Sequence, residues 1–269
     1  MRRPRTSKAE QAAAWLLHEH ESREPFRPLP PELAPANEEE AYLVQEDFVA
    51  LRAKKLGPAV GYKIALSTPA MRRFVGVDAP QAGVLLDSTV RRSPARIRAA
   101  DYVGLIVEFE IAVELADDLP AADAPFSRAH VAGAVGAVMP ALEIADDRNA
   151  DYRLLPQHPL HLVADNAWNE GAVLGRPISG WRELPLDKLK GIASINGAKV
   201  GEGTGAEAMG HPLDAVVWIA DQLAARGHGL VRGNVVITGS LISSKRVKPG
   251  DLVRFELEGI SGSVELRVE

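Results

Sequence analysis

The sequence contains no cysteine among its 269 residues. This absence excludes disulfide bonds, thiolate nucleophiles, and zinc or iron–sulfur sites held by cysteine. Basic residues are not in excess either, because 31 Lys and Arg face 36 Asp and Glu and the formal net charge is −5. We therefore expect neither nucleic acid nor anionic lipid as a partner.

Long apolar runs are also missing, so no segment is expected to span a membrane. The basic segment Met1–Arg5 is not followed by the apolar core of a signal peptide. Walker lysine motifs, nucleophile elbows and the histidine spacing of metalloproteases are absent as well. Together these absences predict a cytoplasmic protein that uses none of these common catalytic motifs.

Helical signals dominate the beginning of the chain. Ser7 and Glu10 fit a capping box, and a second helix is predicted from Asn37 as N-cap to the stop at Gly57-Pro58. The proline-rich stretch 25–35 between them cannot remain helical. The predicted apolar side of the first helix consists of Ala14, Leu16 and Leu17.

Strand signals dominate the rest. Val60–Leu66 and the alternating segment Val107–Leu115 are typical of strands, and Asn196-Gly197 predicts a hairpin. One helix is predicted between Pro212 and Gly227. Further predicted strands are Val235–Thr238, Leu252–Leu257 and Val264–Val268. This order favours an α+β fold with a mostly antiparallel or mixed sheet, divided into an N-terminal helical segment at 1–58 and a β-rich domain at 59–269.

Three acidic residues are candidates for a metal site. Glu108 and Glu110 lie two apart in a predicted strand, so their carboxylates share one face, and hard divalent ions prefer such oxygen ligands. Alternatively, that face is the solvated side of a half-buried strand. Glu143 lies within an apolar run and needs a cation, a proton or exposure on an edge strand.

Lys63 lies inside another apolar strand. Its ammonium group either extends to solvent or faces the carboxylates, where it can balance charge or move a proton. The glycines at 201, 203 and 205 are interpreted as a turn or an active-site loop, because the βαβ unit of a nucleotide site does not surround them.

Several segments, taken in order, resemble the 2-oxopent-4-enoate hydratase and 4-oxalocrotonate decarboxylase branch of the fumarylacetoacetate hydrolase superfamily. These segments are Gly61–Leu66, Gly76–Pro80, Val107–Ala112, Pro140–Ile144, Ala164–Ala167, Gly210–Pro212, Thr238–Leu241 and Pro249–Asp251. The resemblance runs from about residue 40 to the C-terminus.

The resemblance implies a mixed β-roll or sandwich with an N-terminal helical part, assembled into a homo-oligomer. It implies that Glu108, Glu110 and Glu143 hold Mg2+ or Mn2+ and that Lys63 is catalytic. Ser240 and Asn166 fall in segments that the resemblance assigns to substrate binding.

The activity implied by the resemblance is metal-dependent hydration of a small 2-hydroxydienoic acid in aromatic catabolism. Decarboxylation of a carboxylated relative shares the same enolate and remains an alternative. Hydrolysis of an acylpyruvate is a further alternative, although no histidine–acid pair is evident in the sequence. A non-catalytic role, in a complex with a pathway hydratase or decarboxylase, also stays open.

Two residues depart from the family pattern. Gln81 stands where many hydratases have an acid, so a proton-transfer role there is lost or moved. Trp168 stands where a serine is frequent, and we expect its indole to reshape the pocket and exclude the usual small dienoate.

Overall fold

Two capped helices begin the fold in the computed structural model, which describes residues 6–260 and 262–269. The basic segment 1–5 lies outside the described residues. The α-helices are α1 (Lys8–Ser22), α2 (Glu38–Leu56), α3 (Pro69–Val75), α4 (Arg128–Ala134), α5 (Pro159–Ala164) and α6 (Pro212–Ala224). Among the described residues, no helix is both long and apolar enough to cross a bilayer.

Helix α1 begins with the predicted capping box. The Ser7 hydroxyl accepts from the Glu10 amide at 3.1 Å, and the Glu10 carboxylate accepts from the Ser7 amide at 2.6 Å. The predicted apolar side was partly wrong, because Ala14 is exposed. The residues buried against α2 and α5 are instead Ala12, Ala13 and Leu16.

Helix α2 also has the predicted ends. The Asn37 side chain accepts from the Glu40 amide at 2.9 Å, and the helix stops at Gly57. The proline-rich segment between α1 and α2 contains no helix. Phe48 is fully buried where α2 packs on α1 and α5.

The strands confirm the predicted elements and add others. They are β1 (Ala59–Ala65), β2 (Gln81–Leu86), β3 (Val90–Arg92), β4 (Ala95–Ile97), β5 (Leu105–Leu115), β6 (Val135–Asp146), β7 (Asn169–Leu174), β8 (Lys190–Ile195), β9 (Ala198–Thr204), β10 (Val235–Arg246), β11 (Leu252–Leu257) and β12 (Ser263–Val268). Strand β10 runs eight residues past its predicted end, and β2 and β7 were not predicted.

Two mixed sheets form within the described residues. A seven-stranded sheet has the order β2-β1-β10-β5-β6-β7-β3, and a five-stranded sheet has the order β4-β12-β11-β8-β9. The pairs β1/β10, β3/β7 and β4/β12 are parallel, and the other pairs are antiparallel. The predicted α+β fold with a mixed, mostly antiparallel sheet is therefore confirmed.

The main core lies between the two sheets. The Phe109 ring from β5 and the Phe255 ring from β11 pack with centroids 5.8 Å apart, and both side chains are fully buried. The predicted apolar side of β5 thus faces the five-stranded sheet. Its acidic side faces the other way and belongs to the same face of the sheet as a second buried cluster that includes Met139 and Ile237.

Candidate metal centre and substrate cavity

Strand pairing in the large sheet brings the three glutamates together. Glu108 on β5 is paired directly with Glu143 on β6, and Glu110 follows two residues along β5 on the same face. Carboxylate oxygens from all three side chains lie within 4.8 Å of one another. The prediction that Glu108 and Glu110 converge on one small volume is confirmed.

This face of the sheet is not solvated. Glu110 and Glu143 are both 0% exposed, and Glu108 is only partly exposed. Strand β6 lies between β5 and β7, so Glu143 is not on an edge strand. Both alternatives that placed these carboxylates in water were wrong, because the carboxylates share a buried face of the seven-stranded sheet with the second buried cluster.

In each of the two fully buried carboxylates, one oxygen accepts a hydrogen bond from the described residues and the other accepts none. Glu110 Oε2 accepts from the Gly239 amide at 2.7 Å, and Glu143 Oε1 accepts from the Asn169 side chain at 2.9 Å. Glu110 Oε1 and Glu143 Oε2 accept no hydrogen bond from the described residues. Unpartnered buried carboxylate oxygens are costly unless a cation binds them. The residues present therefore fit a hard divalent cation such as Mg2+.

The electrostatics of the metal-free cluster point the same way. Burial and the neighbouring Glu143 carboxylate raise the pKa of Glu108 to about 7, although the Lys63 ammonium acts to lower it. Burial and the carboxylates of Glu143 and Glu108 raise the pKa of Glu110 well above its usual value. The fold thus holds like charges together at a cost that a bound cation would offset.

Lys63 approaches this cluster from β1. Its Nζ lies 2.9 Å from Glu143 Oε1 and donates to the Ala167 carbonyl at 3.2 Å, and the residue is 4% exposed. Burial lowers its pKa, but the carboxylates of Glu143, Glu108 and Glu110 raise it more, and the net shift is upward. The alternative that Lys63 extends to solvent was wrong.

The contact between Lys63 and Glu143 requires a curved sheet. Strands β1 and β6 are three strand spacings apart, which is about 14 Å in a flat sheet. Strand β10 between them shifts register after Ile237, Ser240 and Ile242, and such irregularities bend a sheet. Gly239 lies in the first of these shifts with φ +107°, a conformation that favours glycine, and there its amide reaches Glu110.

A cavity of about 420 Å3 opens beside the carboxylates. Glu108, Lys63 and Ser240 line it, whereas Glu110 and Glu143 lie behind the wall. A volume of this size is typical of a small-molecule site. Ser240 was predicted to bind substrate, and the structure places it in the wall of this cavity. Its hydroxyl donates to the Ile242 carbonyl at 2.7 Å and accepts from the Phe109 amide at 3.1 Å, so it holds β10 against β5.

Asn166 was predicted to bind substrate, but the geometry gives it another position. It is 2% exposed, and the cavity wall does not include it. Its side-chain oxygen accepts from the Val84 amide at 2.7 Å, and its side-chain nitrogen donates to the Val84 carbonyl at 3.0 Å. Both the oxygen and the nitrogen of the side chain thus bind the Val84 backbone.

Asn166 instead begins a left-handed turn. Asn166, Ala167 and Trp168 have φ values of 50°, 48° and 59°, a run that L-residues rarely adopt. The turn directs the Ala167 carbonyl to Lys63 and places Trp168 in the cavity wall. The pairing with Val84 anchors the turn on β2, so it contributes the free energy that this conformation requires.

The two departures from the family pattern have different outcomes. The Trp168 indole packs edge-on against Phe26 and Tyr152, with ring centroids 5.5 and 5.8 Å away, and the 420 Å3 cavity remains open beside it. Trp168 thus shapes the cavity wall as expected, and the exclusion of the usual small dienoate stays a prediction. Gln81 is buried, its side chain donates to the Pro159 carbonyl at 3.3 Å, and it does not line the cavity.

The sequence patterns did not reveal Asn169 and Gly239, which orient two of the carboxylates. Gly239 falls in the segment Thr238–Leu241, which is part of the resemblance. Its position directly before Ser240 was the one signal that it lies near the site. Nothing in the sequence pairs Asn169 with Glu143. That contact depends on the neighbouring strands β6 and β7.

The structure contains a histidine–acid pair that is not evident in the sequence. His20 Nε2 lies 2.6 Å from Asp165 Oδ1, although 145 residues separate them in sequence. Burial opposes protonation of His20, but Asp165 and Glu170 together raise its pKa to about 9. Neither His20 nor Asp165 lines the cavity. The pair joins α1 to the segment that precedes the left-handed turn.

The glycines at 201, 203 and 205 were interpreted as a turn or an active-site loop, and the structure confirms this only in part. The first two lie in β9, and the third begins a 3₁₀ turn. A Cβ at Gly203 would lie 1.9 Å from the Leu241 carbonyl oxygen, which no side chain permits. Glycine is needed here because β9 packs directly on the backbone of β10.

Known proteins are similar to this chain in architecture and in sequence. A 2-keto-4-pentenoate hydratase of Paraburkholderia xenovorans (strain LB400) is 33% identical over 260 residues, covering 97% of this chain and 94% of the relative. A 4-oxalocrotonate decarboxylase of Pseudomonas putida is 28% identical over 228 residues, covering 85% and 84%.

A solved structure of 4-oxalocrotonate decarboxylase from Pseudomonas putida G7, complexed with magnesium and adipate, superposes with a TM-score of 0.89 at 26% identity and covers 100% of both chains. The family model described as fumarylacetoacetate (FAA) hydrolase C-terminal matches residues 66–269. The chain therefore belongs to the fumarylacetoacetate hydrolase family.

Proposed function

We propose that this protein is a Mg2+-dependent hydratase of 2-hydroxydienoic acids related to 2-hydroxypenta-2,4-dienoate. The observation that carries the proposal is the pair of unpartnered carboxylate oxygens, on Glu110 and Glu143, beside a cavity that Lys63 and Glu108 line. The 33% identity to a named hydratase over 97% of the chain supports the reaction class.

The three glutamates would hold the cation, and Mn2+ is an alternative occupant with the same preference for oxygen ligands. When bound, the ion would supply Lewis-acid stabilisation of the negative charge that develops on the oxygens of the acid. The Gly239 amide and the Asn169 side chain orient Glu110 and Glu143, which is the role of outer partners in metal sites.

Lys63 is proposed to deliver or hold a proton in the cavity. Its raised pKa keeps it protonated near neutral pH, so it acts first as a donor rather than as a base. Its hydrogen bond to the Ala167 carbonyl fixes the ammonium beside Glu143. Asn166 is proposed to act as a positioning residue because it anchors the turn that provides this carbonyl, and Ser240 is proposed to form part of the substrate wall.

Decarboxylation of a 4-oxalocrotonate-type acid is the second candidate. It is favoured by the TM-score of 0.89 to a decarboxylase over the whole of both chains. Hydrolysis of acylpyruvates has less support, because neither residue of the His20–Asp165 pair lines the cavity. We further propose a cytoplasmic homo-oligomer with residues 59–269 as its catalytic domain. A complex with a pathway hydratase or decarboxylase is the alternative assembly.

The test is the ultraviolet absorbance of 2-hydroxypenta-2,4-dienoate with metal-stripped protein, before and after addition of Mg2+. We expect Mg2+-dependent loss of the dienoate band, with a 4-hydroxy-2-oxo acid as the product. Glu110→Gln should abolish this loss. Glu114→Gln, on the same strand and face but 34% exposed, should leave it unchanged. A protein that binds Mg2+ but leaves the dienoate unchanged would refute the hydratase proposal, and release of CO2 from 4-oxalocrotonate would then support the decarboxylase.

A further inference from the structure

The cavity beside the carboxylates has one polar side and one extensive apolar wall. Glu108, Lys63 and Ser240 form the polar side, and the hydroxyl residues Ser67, Thr68, Ser243 and Ser244 also line the cavity. The apolar wall consists of Val75, Leu155, Leu162 and Trp168, and these four residues belong to one buried cluster. Tyr152 also lines the cavity. Its hydroxyl donates to Asp147 at 2.9 Å, so the ring is the part that adds to the wall.

Lys63 is the one basic residue among the described residues that line the cavity. Its ammonium already contacts Glu143 and the Ala167 carbonyl. The other charged lining residues, Glu108 and Glu207, are both acids. A carboxylate against the apolar wall would therefore meet no cation there.

Two arginines close in sequence to residues of the cavity do not line it. The Arg72 guanidinium donates to the carbonyls of Leu66 and Ser67 at 3.1 and 2.9 Å. Arg246 donates to Asp147 at 2.6 Å. Neither arginine is a lining residue, so neither is placed to neutralise a second carboxylate of a bound acid.

We infer that the site selects acids with a single carboxylate and an apolar substituent, and that it discriminates against dicarboxylates. The inference rests on the proposed function, because it assumes that the shared 2-oxo acid group lies at the polar side. An unpaired carboxylate buried against an apolar wall loses its hydration without compensation. We expect a preference of at least about a hundredfold for the acid without the second carboxylate.

The size of the cavity favours a substituent larger than that of the smallest dienoate. A five-carbon dienoate has about eight non-hydrogen atoms, which fill roughly 240 Å3 even at the 30 Å3 that a water molecule takes in the liquid. The cavity offers about 420 Å3. The remaining space adjoins the apolar wall, so an added alkyl or aryl group would gain burial there.

The test compares two acids of equal chain length, 2-oxohexanoate and 2-oxoadipate, which differ only at the end distant from the 2-oxo group. Titration calorimetry with the full-length, Mg2+-loaded protein should give a Kd at least about a hundredfold lower for 2-oxohexanoate. Equal binding, or tighter binding of 2-oxoadipate, would overturn the inference and leave the proposed metal site standing. If neither acid binds in the presence of Mg2+, the inference and the proposed function fail together.

A matched pair of variants tests the charge argument itself. Met71 lines the cavity but is 41% exposed, so a polar replacement there should not disturb the core. Met71→Arg should reduce the preference for 2-oxohexanoate roughly fivefold, because it supplies a partly exposed cation. Met71→Gln should leave the preference unchanged. A preference that Met71→Arg does not alter would show that the missing cation is not its cause and would contradict the inference.

Discussion

The stability of the metal-free protein should fall as pH rises, because the fold buries carboxyl groups that ionise reluctantly. Burial and the adjacent Glu143 carboxylate raise the pKa of Glu108 to about 7, from 4.5 in the unfolded chain. The folded state therefore binds a proton more tightly than the unfolded state does. The stabilisation is fully present below pH about 4.5 and is lost as pH rises through about 7.

The size of the effect follows from the shift. A difference of about 2.5 pKa units corresponds to about 3 kcal/mol, and most of it, about 2 to 3 kcal/mol, is lost between pH 5 and pH 8. In Glu108→Gln, position 108 no longer titrates, so this part of the pH dependence disappears. The difference in free energy of unfolding between metal-free Glu108→Gln and the metal-free unaltered protein should therefore favour the variant more at pH 8 than at pH 5.

The measurement is urea unfolding with EDTA at pH 5 and pH 8, which gives the free energy of unfolding for each protein. Other groups contribute a background, so the decisive quantity is the change in the difference between Glu108→Gln and the unaltered protein. Glu114→Gln is the control, because Glu114 lies on the same strand but is 34% exposed. If the Glu108→Gln difference is the same at both pH values, the carboxylates do not repel one another as the geometry indicates, and the argument for a cation fails.

Three further predictions concern the residues around the cluster. Glu143→Gln should keep the fold, seen by circular dichroism, but abolish Mg2+-dependent turnover; full turnover would remove Glu143 from the site. Lys63→Met should still bind Mg2+ in calorimetry but lose most turnover, and unchanged turnover would exclude Lys63 from the mechanism. His20, whose pKa is raised from 6.5 to about 9, stabilises the fold fully below pH about 6.5, and this contribution is lost as pH rises through about 9. In urea unfolding, the difference in free energy of unfolding between the unaltered protein and His20→Gln should therefore shrink between pH 7 and pH 10. A difference that stays constant would contradict the ion pair. The control is His18→Gln, because His18 is exposed.

Local signals predicted the parts of the fold that local chemistry determines. The capping residues Ser7 and Asn37 and the Asn196-Gly197 hairpin act through hydrogen bonds or backbone angles within a few residues. Such features are readable from sequence because their partners are neighbours in sequence. The exposed position of Ala14 was not readable, since which side of α1 is buried depends on how α2 packs against it.

The candidate metal site was predictable in composition but not in environment. The spacing of Glu108 and Glu110 gave a shared face because strand geometry has a period of two. Whether that face is wet or dry depends on residues distant in sequence, such as Met139 and Ile237, which lie on the same buried face on neighbouring strands. The surroundings of Asn166 were not predictable for a related reason, because its hydrogen-bonding partner, Val84, is 82 residues away.

The charges gathered at the site specify the kind of ion that it fits. Ionised, the carboxylates of Glu108, Glu110 and Glu143 carry three negative charges, and the Lys63 ammonium offsets one of them. A buried site that retains two negative charges is costly in a medium of low polarity. A monovalent ion would leave one charge uncompensated, whereas a divalent ion leaves none. If Lys63 gave up its proton, the balance would again be negative by one charge, so a bound divalent ion and a protonated Lys63 stabilise each other.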